Sequence, residues 1–317
     1  SRSSAASDVY KRQDYNITVN ATAISGSLSD VSTLYDNKAD DSDADTDGFT
    51  GLGNEAITLT DTGSIAADTL LTVAQANSSG TVDASNAGTI TGTAEEIIDA
   101  YDDSTITEAS DVALTVNTAN SGTATLTQAR SLDGLTTGVV TATIAATDLS
   151  DLVGSSPLLD ANGNNAFTIT IGTDDATVAA ADLNTLDGLT TVAINAGNVT
   201  TITSSSLADI NTLYASSGFS GLGDQAITAN DTGSIAASTI TTVATANSSG
   251  TLNVSAAGTI TGTAGQIIAA FADSTITEAS DVALTVDSSG TASLTQARTL
   301  DGLTTGVVTA TIAATDL

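Results

Sequence analysis

The chain contains no His, Cys, Met or Trp in 317 residues. Without His or Cys the commonest proton shuttle, thiolate nucleophile and soft metal ligands are missing, so catalysis would have to rest on carboxylates and hydroxyls alone. The lack of Cys also excludes a disulfide framework, leaving cohesion to packing and backbone hydrogen bonds. Basic residues are scarce as well: 6 stand against 37 acidic ones, a formal charge of -31. So negative a surface repels phosphate backbones and anionic headgroups, so nucleic acid is not an expected partner and divalent cations are. No run of about 18 uninterrupted apolar residues occurs, and no membrane insertion by a helix is expected. Aromatics make up only 3%, although 40% of the chain is hydrophobic. Small and β-branched side chains in that proportion suit a thin core repeated many times and are too apolar for simple disorder. At salt near that of seawater the Debye length shrinks to a few Å, which makes a salty extracellular setting compatible with the charge.

What is present is repetition. Residues 104–116, STITEASDVALTV, recur unchanged at 274–286, and 132–149 recur at 300–317, offsets of 170 and 168. Two large repeats are therefore expected, about 14–189 and 190–317, the second incomplete. Residues 3–13 share nothing with them and resemble the translation of a sequencing-library adapter. The segment 1–13 is set apart as artefactual and disordered; it holds three of the six basic residues, Arg2, Lys11 and Arg12.

Within the large repeats, strand-like runs begin near Ala56, Thr81, Val112, Val139, Phe167, Thr191, Ala226, Thr251, Val282 and Val307, about 28 residues apart on average. Each step has one grammar: a β-branched run, a Gly/Ser/Asn turn, a second Thr-rich run, then a stretch with apolar residues three or four apart. Ala129, Leu132 and Leu135 are one such stripe, and Leu207, Ile210 and Leu213 another. Thr93 and Ser206 stand where N-caps are expected, and Asp133-Gly134, Asp187-Gly188 and Asp301-Gly302 where a left-handed C-cap is. A unit this short cannot hide its apolar side alone, so successive units must stack. The predicted fold is an α/β repeat, a right-handed parallel solenoid over 14–317 whose coils of about 28 residues run strand, turn, strand, short helix. The alternative is an all-β parallel β-helix.

The phrases TLYASSGFSGLGDQAIT, GTITGTAEEIIDAY, AADLNTLDGLTT and LDGLTTGVVTATIA resemble the repeats of giant acidic surface or secreted proteins of marine cyanobacteria, over nearly all of 14–317. The resemblance implies an extracellular or cell-surface location and a structural or adhesive role, often beside calcium-binding repeats. The chain departs from that pattern in carrying no glycine-rich nonapeptide array.

One local sequence has the spacing of a Ca²⁺ loop: Asp41, Asp43, Asp45 and Asp47 alternate, and Gly48 follows. Alternate oxygen ligands converge on one ion if a glycine permits the sharp turn, and Glu55 is the candidate closing ligand. The stretch is an insertion, since Tyr35 and Phe49 stand much further apart along the chain than the matching Tyr214 and Phe219. Ca²⁺ is thus the expected cofactor, with a solvated acidic loop as the plain alternative. Asp160, Asn162 and Asn164 repeat the alternation with weaker ligands and read better as a turn. Arg130 and Arg298 are expected to pair with carboxylates near helix ends. Tyr35, Tyr214, Tyr101 and Phe271 read as core plugs before sugar platforms. Glu95 and Glu96 are adjacent on a helix, so they diverge and do not flank one bond as glycosidase carboxylates must. Thr-X-Thr strings such as Thr89-Ile-Thr91, Thr141-Ala-Thr143 and Thr168-Ile-Thr170 place hydroxyls on one strand face. The expected function is a non-enzymatic extracellular structural or adhesion segment stiffened by Ca²⁺, its partners divalent cations, cell-surface glycans or other copies of the parent protein. A glycan- or ice-binding solenoid module is the alternative.

Overall fold

The computed structural model describes residues 16–38, 48–117, 122–145, 147–154, 163–287 and 290–313. Short parallel strands alternate with short helices throughout, the α/β repeat of solenoid type that the periodicity predicts. Ten α-helices lie among the described residues: α1 Leu28–Asp36, α2 Ala67–Ala76, α3 Ala94–Asp102, α4 Leu126–Leu135, α5 Leu149–Gly154, α6 Ala180–Asp187, α7 Leu207–Ala215, α8 Ala237–Ala246, α9 Ala264–Ala272 and α10 Leu294–Leu303. They rule out the all-β alternative. The chain divides into two compact units, Ser1–Gly122 with Gly134–Val140, and Thr123–Asp133 with Thr141–Leu317. These units do not coincide with the two large sequence repeats.

In the first unit, strands Ala23–Gly26, Ala56–Leu59, Thr81–Asp83 and Ile106–Thr107 form one parallel sheet. Ser64–Ala66, Thr89–Gly92 and Ala113–Val116 pair in a second parallel row. The register sets like on like: Ile57, Val82 and Ile106 stand opposite one another, as do Ile65, Ile90 and Leu114. All six are buried. Each such side chain contributes roughly 1.5–3 kcal/mol on full burial, and its neighbours in the row come from the coils before and after. The second unit repeats the pattern, with Val178, Ile202, Ile227, Leu252 and Ile276 in one buried row and Ile235, Ile260 and Leu284 in another.

The step between paired strands is shorter than the spacing of run starts suggests. Ala56 pairs with Thr81, 25 on, and Val82 with Ile106, 24 on. The expectation averaged over run starts that belong to different rows: Thr81 lies in the Ala56 row, whereas Val112 precedes the strand that pairs with Thr89–Gly92. Ala23 pairs with Ala56, a longer step, because the acidic insertion lies between them.

Helix starts follow local capping chemistry. Thr93 and Glu96 form a reciprocal capping box on α3, as Thr263 and Gln266 do on α9 and Ser293 and Gln296 on α10. Glu96, half of the sequence's adjacent carboxylate pair, is thereby a cap. A second device reaches between coils. The Leu28 N–H at the start of α1 donates to Asp61 Oδ2 at 2.7 Å, and Leu149 and Leu207 donate likewise to Asp175 and Asp231 at 2.8 and 2.7 Å. A carboxylate at a helix start satisfies an otherwise orphaned donor and complements the positive end of the dipole.

Helix ends depart from the expected left-handed Asp-Gly cap. Gly134 and Gly302 lie inside α4 and α10, and Gly188, which follows α6, has φ -74. A threonine two residues further on makes the turn instead. The Thr136 hydroxyl donates to Val112 O and accepts from the Gly138 N–H, and Thr304 does the same with Val282 O and Gly306. Arg130, in turn, donates from Nη2 to the Asp151 carbonyl at 2.8 Å.

Candidate functional site

Of the residues that the spacing assigns to a metal, Asp41, Asp43, Asp45 and Asp47 lie outside the described residues. Glu55 is described. It sits just before strand Ala56–Leu59 with no solvent exposure. Its Oε2 accepts from the backbone N–H of Gly53 at 2.8 Å and of Asn54 at 3.1 Å, and the Tyr35 hydroxyl lies 2.7 Å away. Asn77, at the end of α2 and equally buried, completes the group. Its Oδ1 accepts from the Glu55 N–H at 3.0 Å and its Nδ2 donates to the Glu55 carbonyl at 2.8 Å. The Tyr35 hydroxyl is also 2.8 Å from Asn77 Oδ1. Tyr35 is therefore a buried plug, as expected, whose hydroxyl additionally ties three coil segments together.

Burial raises the cost of charge on Glu55, but the hydrogen bonds from Gly53, Tyr35 and the Glu55 and Asn54 amides outweigh it and hold the carboxyl below its ordinary value. Tyr35 moves the other way. Burial first, then its bond to Glu55 and the Glu55 charge, push its pKa well above the usual tyrosine value. The site thus contains an ionised carboxylate beside a neutral phenol. Glu55 Oε1 is buried and has no hydrogen-bond partner. Lys38 Nζ, the ammonium near Gly53, donates instead to the Ala76 carbonyl at 3.3 Å.

The second large repeat carries the same group with one change: Gln225 stands where the first has Glu55. Its Oε1 accepts from the N–H of Gly223 and Asp224 at 2.6 and 3.1 Å, with the Tyr214 hydroxyl at 2.9 Å. Asn247 bonds the Gln225 main chain at 3.0 and 2.8 Å as Asn77 bonds that of Glu55. The backbone of the loop is the same in both, with φ +86 at Gly51 against +82 at Gly221 and +143 at Gly53 against +142 at Gly223. The amide nitrogen, however, has three acceptors: Val199 O at 3.2 Å, Gly221 O at 3.3 Å and Asp224 Oδ1 at 3.1 Å.

A second matched pair of acids is Glu108 and Glu278, which the sequence reading did not single out. Each has a buried Oε1 without a hydrogen-bond partner. Burial raises the Glu108 pKa to about 7, with the Asp103 charge adding to it against the Glu108 amide; Glu278 is raised by the same causes. The Tyr101 hydroxyl is also buried and unpartnered, and burial and the Glu108 charge raise its pKa. Phe271 takes the place of Tyr101 in the second repeat. The sequence signal for both groups was available as matched positions, Glu55 with Gln225 and Tyr101 with Phe271, where one repeat differs from the other by a single polar atom or group.

Of the weaker alternation, Asp160 and Asn162 lie outside the described residues. Among the described residues no group of three or more His, Cys, Asp or Glu side chains is placed to hold a metal, and no helix is long and apolar enough to cross a membrane. Comparison with known proteins gives no match to a family model, a curated protein or a solved structure.

Proposed function

We propose that the chain is a non-enzymatic structural or adhesive segment of a large acidic repeat protein that works outside the cell or on its surface, as the resemblance to cyanobacterial surface repeats implies. The observation that carries this reading is what the two large repeats keep in common. The identical stretches place buried aliphatics in register, Leu114 against Ile90 and Leu284 against Ile260, and threonine anchors at the turns, Thr136 and Thr304. These are groups that hold one coil to the next. A chain in which repetition serves stacking extends by adding coils, and a charge of -31 keeps its surface hydrated and apart from other polyanions.

Its location is tested with an antibody to the chain applied to intact and permeabilised cells that carry the gene. Labelling of intact cells is expected, and signal only after permeabilisation would overturn the surface assignment. Adhesion is read by coating beads with the chain and scoring capture on a glycan array and on immobilised chain. Ice binding is the second reading, favoured by the row Thr123, Thr143 and Thr168, three exposed threonines from three successive strands. Strands in such a row lie about 4.8 Å apart, a regular hydroxyl array. Thermal hysteresis no larger than that of an inert protein of equal size removes it.

A further inference from the structure

The two polar groups pose a question that the second repeat answers for the first. Glu55 Oε2 holds the place of Gln225 Oε1, since both accept from the two loop amides and the tyrosine hydroxyl. Glu55 Oε1 therefore stands where Gln225 has its amide nitrogen. That nitrogen donates toward three oxygens, those of Val199, Gly221 and the Asp224 side chain. The matching residues of the first repeat are again oxygen-bearing. Gly51 and Asn54 align with Gly221 and Asp224 through GLGNEAIT and GLGDQAIT. Val199 has no direct match: Val19 and Ala196 donate alike to Thr50 and Ser220, and Thr22 and Thr200 accept alike from Ala56 and Ala226, but the stretch between is one residue shorter in the first repeat. A position that takes a donor in the second repeat thus holds, in the first, a buried carboxylate oxygen with no hydrogen-bond partner.

Acceptor oxygens grouped around a carboxylate oxygen repel it unless something positive lies between them. We propose that a Ca²⁺ ion occupies this place in the first repeat, held by Glu55 Oε1 with the Gly51 carbonyl oxygen and the Asn54 side-chain oxygen, and completed by water. In the second repeat the oxygens around the Gln225 nitrogen lie 3.1–3.3 Å from it. Oxygens at such separations can close around an ion that takes six to eight ligands at about 2.3–2.6 Å. One carboxylate among neutral oxygens makes a weak site, with a Kd on the order of 10⁻³ M, the range of extracellular Ca²⁺ modules. The site needs no residue of the acidic insertion, and it does not depend on what the chain adheres to. The amide of Gln225 does permanently in one repeat what the ion does conditionally in the other.

The experiment uses the whole chain, stripped with EDTA, and terbium as a luminescent stand-in for Ca²⁺. Tyr35, whose hydroxyl is 2.7 Å from the Glu55 carboxylate, is placed to sensitise a bound ion. Wild type is expected to show tyrosine-sensitised emission that millimolar Ca²⁺ displaces and Mg²⁺ at equal ionic strength does not, and Ca²⁺ is expected to raise its unfolding temperature. Glu55→Gln is expected to lose the emission and the Ca²⁺ response while unfolding in EDTA at or above the wild-type temperature. The combined Asp41→Asn, Asp43→Asn, Asp45→Asn, Asp47→Asn variant is expected to keep both. The proposal is overturned if wild type shows no displaceable emission, if Glu55→Gln retains it, or if the fourfold variant abolishes it. Should Glu55→Gln fail to fold, Gln225→Glu decides: it must add a second Ca²⁺ response, and its failure to do so rejects the assignment.

Discussion

Glu55 and Gln225 stand at the same point of two loops with the same glycine conformations, the same tyrosine and the same asparagine, and they differ by one oxygen in place of one NH₂ group. That single exchange turns a fully satisfied buried amide into a buried carboxylate with an orphaned oxygen. The framework is kept because the two loop amides and the tyrosine hydroxyl donate to a carboxylate oxygen as they do to an amide oxygen, and the asparagine bonds only the main chain. Repeats can thus diverge in chemistry at a point where they are held constant in shape.

The largest expected effect tests that shared frame. Asn77→Ala removes the side-chain bonds to the buried Glu55 N–H and C=O, whereas Asn247→Ala orphans the Gln225 N–H but leaves the Gln225 carbonyl its bond from the Thr251 N–H at 3.1 Å; a buried unsatisfied group costs about 1–3 kcal/mol. A loss of about 3 kcal/mol is expected for Asn77→Ala and about 2 kcal/mol for Asn247→Ala, read from urea unfolding. A loss in one repeat only would show that the two groups are not held by the same means.

A smaller effect should separate the repeats. Tyr35 donates near an ionised carboxylate at 2.7 Å and Tyr214 near a neutral amide oxygen at 2.9 Å. Hydrogen bonds to charged groups are worth about 1.5–3 kcal/mol and neutral ones about 1. Tyr35→Phe is accordingly expected to cost about 2 kcal/mol and Tyr214→Phe about 1 kcal/mol, with the difference between them disappearing in a Glu55→Gln background. Equal costs in the wild-type background would mean that Glu55 is protonated.

The strands and their stacking were legible in the residues because β-branched rows such as Thr89-Ile-Thr91 show their period of two directly, and the stripes at Leu207, Ile210 and Leu213 show theirs. Tyr35, Glu55 and Asn77 were not legible as a group. They are far apart along the chain, and only the closure of the coil, which sets Ala56 beside Thr81, brings them together. Averaging run starts from different rows lengthens the apparent coil and obscures that closure. Glu55 was singled out by its nearness to the acidic insertion, whereas what fixes it is the pair of loop amides and the end of α2. The Asp-Gly pairs misled for a related reason: a local signal for a left-handed cap gives way to a threonine that bonds the preceding coil, a partner invisible along the chain.

The smallest effect concerns the second matched pair, Glu108 and Glu278, and its sign follows from burial. The Glu108 carboxyl is raised to about 7 in the folded chain, so on raising the pH the unfolded chain releases this proton first. Stability is full below the ordinary carboxylate value and is lost as pH rises toward 7, since the folded state then binds the excess proton and must finally bury a charge. Partial exposure screens the interaction, and about 1 kcal/mol is expected between roughly pH 5 and 8. Urea midpoints at constant ionic strength should therefore fall over this range in wild type. They should fall less in Glu108→Gln, which has no proton to lose. Glu278→Gln should flatten the curve in the same direction, because Glu278 is raised by the same burial. Adding Tyr101→Phe makes the first repeat resemble the second and tests whether the hydroxyl matters: the Tyr101 oxygen has no hydrogen-bond partner, so its removal should leave the Glu108 slope in place. A slope that disappears in Tyr101→Phe would instead show that the phenol and the carboxyl share a proton.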